Sequence, residues 1–94
     1  MSEHTARSLE KMDALLPLLK ALPAGPTHAE MIDTAEWLRR AIAAFHLEAI
    51  RFRMFTVDRL LNGYGNPAEA RKIFDELREE LEAAGFHTRS HSAP

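Results

Sequence analysis

The chain contains no cysteine, which excludes disulfides, thiolate metal sites and cysteine nucleophiles and leaves the redox compartment open. It has four glycines and five prolines, and between Pro26 and Gly63 there is neither. No apolar run approaches the ~18 residues that a membrane-spanning helix needs. Nor is there an excess of one charge. Twelve Lys and Arg stand against fourteen Asp and Glu, a net charge of -2. Such a balance gives no reason to expect nucleic acid or an anionic membrane as a partner. The opening residues, Met1 to Thr5, lack the basic region and apolar run of a signal peptide, so the expected compartment is the cytoplasm.

What is present is a globular composition on a small scale. With 94 residues, 46% hydrophobic and 28% charged, the chain has room for one domain. A chain of this size buries only about two-thirds of its unfolded surface, so a lone monomer has little stability in reserve.

The apolar spacing is helical throughout and predicts an all-α fold of three helices, over about 5–22, 28–62 and 67–84. Residues 1–86 form the expected single domain and 87–94 a flexible C-terminal tail. In the first helix Pro17 interrupts the run, which predicts either one kinked helix or a new helix capped by Asp13. The kinked helix is the expected form. The second helix has no internal Pro or Gly for about 35 residues and would be roughly 52 Å long. Thr27 and Glu30 have the spacing of a capping box at its start, and Asn62-Gly63 marks its end. The third helix opens on Asn66-Pro67, carries a stripe of Ala70, Ile73, Phe74, Leu77, Leu81 and Ala84, and closes at Gly85 with Phe86 folded back on Leu81.

On a straight helix the long segment carries two apolar faces. One holds Met31, Ala35, Leu38, Ile42, Phe45, Ala49, Phe52 and Leu60; the other holds Ile50, Met54, Val57 and Leu61. Two short antiparallel helices cannot hide both. A contiguous apolar surface of a few hundred Å² exceeds what a monomer usually leaves exposed. The expected remedy is a homodimeric helical bundle whose contact is centred on Phe45, Ala49 and Phe52, with Trp37 beside them.

Three basic residues, Arg39, His46 and Arg53, recur every seven positions, which on a straight helix sets them nearly in line. Antiparallel packing of the third helix predicts an ion pair from Arg53 to Glu76 or Glu80. Two guanidiniums and an imidazole between apolar walls would also suit a carboxylate or phosphate. The sequence carries no other catalytic or metal-binding pattern. The Glu-x-x-His pairs of di-iron bundles and the His-Glu-x-x-His of zinc proteases are both missing. The expected function is therefore that of a small non-enzymatic interaction or adaptor protein, a homodimer holding a protein partner, with no cofactor and no metal. The alternative is a sensor or carrier that binds a small ligand or anion through Arg39, His46 and Arg53.

Overall fold

A computed structural model describes residues 3–85. Among these the chain is all-helical, as expected, but it forms four helices rather than three. They are α1 (Glu3–Lys20), α2 (His28–Ala44), α3 (Leu47–Gly63) and α4 (Ala68–Ala83).

The expected long helix is broken at Phe45-His46, where no Gly or Pro announces a break. Phe45 takes the left-handed conformation, with φ 62° and ψ 40°. Its N–H donates to the Ile42 carbonyl at 3.0 Å, and the His46 N–H donates to the Ala41 carbonyl at 2.9 Å. Together these make a Schellman close, with a phenylalanine where glycine is usual. His46 is then the N-cap of α3, and the Ile50 N–H donates to its carbonyl at 3.0 Å.

Magnitudes explain why the break wins. Along one continuous helix the core residues of α2 (Met31, Ala35, Leu38, Ile42) and of α3 (Ile50, Met54, Val57, Leu61) would point about 100° apart, one residue's rotation. A left-handed non-glycine residue costs roughly 1–2 kcal/mol. Each large aliphatic side chain brought from water into the core returns about 1.5–3 kcal/mol. All of these α3 residues are buried. One strained residue is outweighed several-fold. The second apolar face is thus the interior of the single chain and needs no second copy to cover it.

Other local expectations shift in smaller ways. α1 continues through Pro17, and no new helix begins at Asp13, whose carboxylate instead meets Arg39. Thr27 stands at the N-cap of α2 without a side-chain hydrogen bond, and Glu30 lies 3.6 Å from Arg59 instead of closing a capping box. α3 closes not at Gly63, which is helical, but at Gly65 (φ 79°). There the Asn66 N–H reaches the Leu61 carbonyl at 2.9 Å and the Gly65 N–H reaches Asn62 at 3.0 Å. Pro67 is the N-cap of α4, and Asn66 before it is left-handed (φ 55°) and accepts from Arg71 at 2.7 Å. The expected staple of Phe86 on Leu81 and the tail at 87–94 lie outside the described residues.

Cross-helix pairs show that neighbours run antiparallel. Arg39 meets Asp13 and Lys20 meets Glu36 between α1 and α2. Arg53 meets Thr34 and Arg59 meets Glu30 between α2 and α3. Lys11 meets Glu76 and His4 meets Glu80 between α1 and α4. Within each set a higher number on one helix faces a lower number on the other. The result is an up-down-up-down four-helix bundle. α1 packs on both α2 and α4, and α2 packs on α3. The remaining side, α3 to α4, is tied by Asp58, which accepts from Arg71 at 2.8 Å and from Arg78 at 3.4 Å. Both guanidiniums also lie over the buried Phe74 ring, at 5.4 and 5.1 Å.

The core is continuous and draws on all four helices: Met12, Leu15 and Leu19; Met31, Leu38 and Ile42; Ile50, Met54 and Leu61; Phe74, Leu77 and Leu81. At one end of the bundle the two connections meet. The Tyr64 hydroxyl donates to the Pro23 carbonyl at 3.0 Å, and its ring meets His28 edge-on at 6.4 Å. The His28 Nε2–H donates to the Leu19 carbonyl at 2.9 Å, tying the start of α2 to the end of α1.

Candidate functional site

With the core closed, the side chains left outside become informative. Among the described residues five large hydrophobic side chains are exposed, and all five lie between positions 37 and 55: Trp37, Phe45, Leu47, Phe52 and Phe55. They belong to the α2–α3 hairpin and its turn. Trp37 is 47% exposed, Phe45 55%, and Phe52 and Phe55 59% each. Taking roughly 150–250 Å² for a whole aromatic side chain, Trp37, Phe52 and Phe55 show about 350 Å² to solvent. The largest apolar patch of an ordinary monomer is of that order and is often functional.

The helical period puts them there. In α3 the buried positions Ile50, Met54, Val57 and Leu61 define the inner face, and Phe52 and Phe55 fall on the opposite one, among Glu48, Arg59 and Asn62. In α2 Trp37 lies on the exposed flank outside the buried positions, with Arg53 of α3 beside its ring. Between the two helices stands Arg53. It donates to the buried Thr34 Oγ1 at 3.2 Å, and its guanidinium carbon lies 5.5 Å from the Trp37 ring and 5.1 Å from the Phe52 ring. The Arg40 guanidinium carbon lies over the Trp37 ring, 4.4 Å from its centroid. Arg40, Trp37, Arg53 and Phe52 thus form an alternating cationic and aromatic row across the hairpin.

Charge pairing sets this row apart. Among the described residues every other arginine has a carboxylate within 4.0 Å: Arg7, Arg39, Arg51, Arg59, Arg71 and Arg78. Arg40 and Arg53 have none. The two guanidiniums flanking Trp37 keep hydrogen-bonding capacity that the described residues do not use.

The structure distributes the Arg39, His46 and Arg53 series over three settings. Its alignment presupposed one straight helix, and the turn at Phe45-His46 removes that premise. Arg39 sits on α2 and makes a forked contact with Asp13 of α1, Nε to Oδ1 at 2.8 Å and an NH2 donor to Oδ2 at 3.4 Å. The hydrogen bond from Arg39, joined by its charge, holds the Asp13 carboxyl below its ordinary 3.8 and raises the guanidinium in turn. His46 is exposed in the turn, and Arg53 is part of the aromatic row. The expected pair from Arg53 to Glu76 or Glu80 does not form: Glu76 accepts from Lys11 Nζ at 2.9 Å, and Glu80 meets His4 Nδ1 at 3.1 Å. The Lys11 hydrogen bond holds Glu76 below its ordinary 4.5.

Of the four residues expected at an interface, Trp37, Phe45 and Phe52 are exposed and Ala49 is partly covered. Phe55, Arg40 and Leu47 extend the surface and were not singled out by sequence reasoning. For Phe55 a signal existed: it shares the azimuth of Trp37 on the continuous wheel. No group of three or more His, Asp or Glu suited to a metal ion occurs among the described residues. No described helix is long and apolar enough to cross a membrane. Compared with protein-family models, with curated proteins and with solved structures, the chain matches none.

Proposed function

We propose that the protein is a small non-enzymatic interaction module that works as a homodimer, its contact surface being the aromatic face of the α2–α3 hairpin. The observation that carries this reading is the concentration of exposed Trp37, Phe45, Phe52 and Phe55 on one hairpin of a bundle whose core is already complete. Each of these side chains keeps 47% or more of its surface in water, which costs solubility where it stands. Trp, Phe and Arg are the residue types enriched at the centres of protein interfaces.

An anion site built jointly from Arg39, His46 and Arg53 is less well supported, because Arg39 is already engaged by Asp13 and Arg53 by Thr34 and two rings. Sedimentation equilibrium at micromolar concentration tests the preferred reading. The expected mass is twice the 10.6 kDa chain. Trp37→Ala with Phe52→Ala should return the protein to monomer with its helical circular dichroism intact. A wild-type monomer at that concentration would refute the reading.

A further inference from the structure

The outward strip of α2 reads Ala29, Asp33, Trp37, Arg40 and Ala44. At about 100° per residue these five fall within a strip about 80° wide. All five are exposed. Their order is palindromic in chemistry: a small residue, an acid, the aromatic, a base, a small residue. The centre of that palindrome lies between Glu36 and Trp37. At 1.5 Å of rise per residue, Asp33 and Arg40 stand about 5 Å to either side of it, and Ala29 and Ala44 about 11 Å.

A strip of this kind is complementary to itself under a two-fold rotation, the operation that relates the two halves of an isologous dimer. Resting on the homodimer reading above, we propose that the occupant of the aromatic face is a second copy of this chain. Its α2 lies antiparallel on α2 of the first, with the two Trp37 rings meeting at the axis and Asp33 of each copy paired with Arg40 of the other.

Charge complementarity favours this occupant and this register. Asp33 has no ion pair among the described residues, and Arg40 has no carboxylate within 4.0 Å, so each charge lacks the partner that the other copy would bring. Arg40 is also pre-positioned. Its guanidinium carbon lies 4.4 Å from the Trp37 ring centroid, which holds the charge beside the proposed axis, and guanidinium N–H groups suit a carboxylate. Ala29 and Ala44 meet across the axis at the ends of the strip, where small side chains let helices approach to about 8–10 Å. In the reverse, parallel arrangement like charges would face each other. Phe52 and Arg53, beyond Trp37, then border the contact on the α3 side.

Charge reversal tests the register separately from the dimer. Asp33→Arg and Arg40→Asp are prepared singly and together, and association is followed by sedimentation equilibrium with helical content checked by circular dichroism. Each single reversal sets like charges opposite one another in both symmetry-related pairs and is expected to raise the dimer dissociation constant roughly tenfold or more. The double variant restores both pairs and should dimerise like wild type. An equimolar mixture of the two single variants should form a heterodimer, since one chain then carries a positive charge at both positions and the other a negative charge at both. Native mass spectrometry resolves that heterodimer from either homodimer. A wild-type dimer that both single reversals leave untouched overturns the register while the homodimer stands. Loss of dimer in the singles without recovery in the double or the mixture overturns it too. A wild-type monomer removes both proposals together.

Discussion

Replacing Phe45 by glycine and, separately, by alanine asks whether the chain turns here, and the sign of the difference answers. Both variants lose the same phenyl ring and whatever it contacts, so that loss cancels between them. What remains is the backbone. At φ 62° alanine keeps the steric penalty of the left-handed conformation, roughly 1–2 kcal/mol, and glycine does not. Against this, glycine's freer unfolded chain takes back about 0.4–1 kcal/mol. Phe45→Gly should therefore be more stable than Phe45→Ala by about 1 kcal/mol. In the interior of an unbroken helix from Thr27 to Asn62 the order would be opposite, alanine being preferred by about 0.8–1 kcal/mol. The two structures differ by about 2 kcal/mol in a directly measurable quantity. Urea denaturation at one fixed protein concentration gives both midpoints. In a domain of this size the expected gap also appears as about 4–8 °C in Tm. Phe45→Ala as the more stable variant would refute the turn, and with it the account of how Ile50, Met54 and Val57 reach the core.

The packing sets four further outcomes. Phe74 is fully buried, so Phe74→Ala should destabilise the fold by about 3–5 kcal/mol, whereas Phe52→Ala, at a site 59% exposed, should change the monomer by less than about 1 kcal/mol; denaturation at a concentration too low for association ranks them, and a reversed order contradicts the assigned faces. Asp58→Asn should cost about 1–2 kcal/mol because Arg71 and Arg78 both donate to that carboxylate, and its effect should be less than additive with Arg71→Gln; full additivity in a double-mutant cycle would mean the residues do not act together. Because Asp13 titrates below its ordinary 3.8 in the folded state, its contribution to stability is present above that value and is lost as the pH falls through and below it; Asp13→Asn should flatten the acid limb of a stability–pH curve, and an unchanged limb would show that the pair with Arg39 adds nothing. Tyr64→Phe should cost about 0.5–1.5 kcal/mol by removing the hydroxyl that donates to the Pro23 carbonyl, and native-state hydrogen exchange should quicken at the end of the bundle where the two connections meet; protection there equal to wild type would refute the tie.

Helical period, the absence of strand-like alternation, and the punctuation at Pro23–Pro26 and Gly63–Pro67 were enough to read an all-α chain and two of its three turns. The inner face of α4 was legible for the same reason, its buried Ala70, Phe74, Leu77 and Leu81 lying on a single stripe. The signal for the third turn was also in the sequence, as two apolar faces about 100° apart along one segment, but it had two physical solutions. A straight helix could bury the second face against another copy, or the chain could fold and bury it against itself. Local rules favoured the straight helix, since Ala43, Ala44, Phe45 and His46 contain no breaker. Ion-pair partners were less legible still, because a partner depends on which helices are neighbours and in what stagger. Once α1 packs against α4, Lys11 and His4 reach Glu76 and Glu80 first, and Arg53 is left between Trp37 and Phe52.

Composition and period by themselves determined the class of fold, most helix positions and most of the core, because these follow from which side chains water rejects and from the 3.6-residue turn of the helix. Only the tertiary structure decided where the middle helix breaks. That choice sets several buried aliphatic side chains against one strained residue, and the balance exists only when α1 and α4 are in place to receive them. By turning the chain at Phe45, the same choice placed Trp37, Phe52 and Phe55 together on the outside.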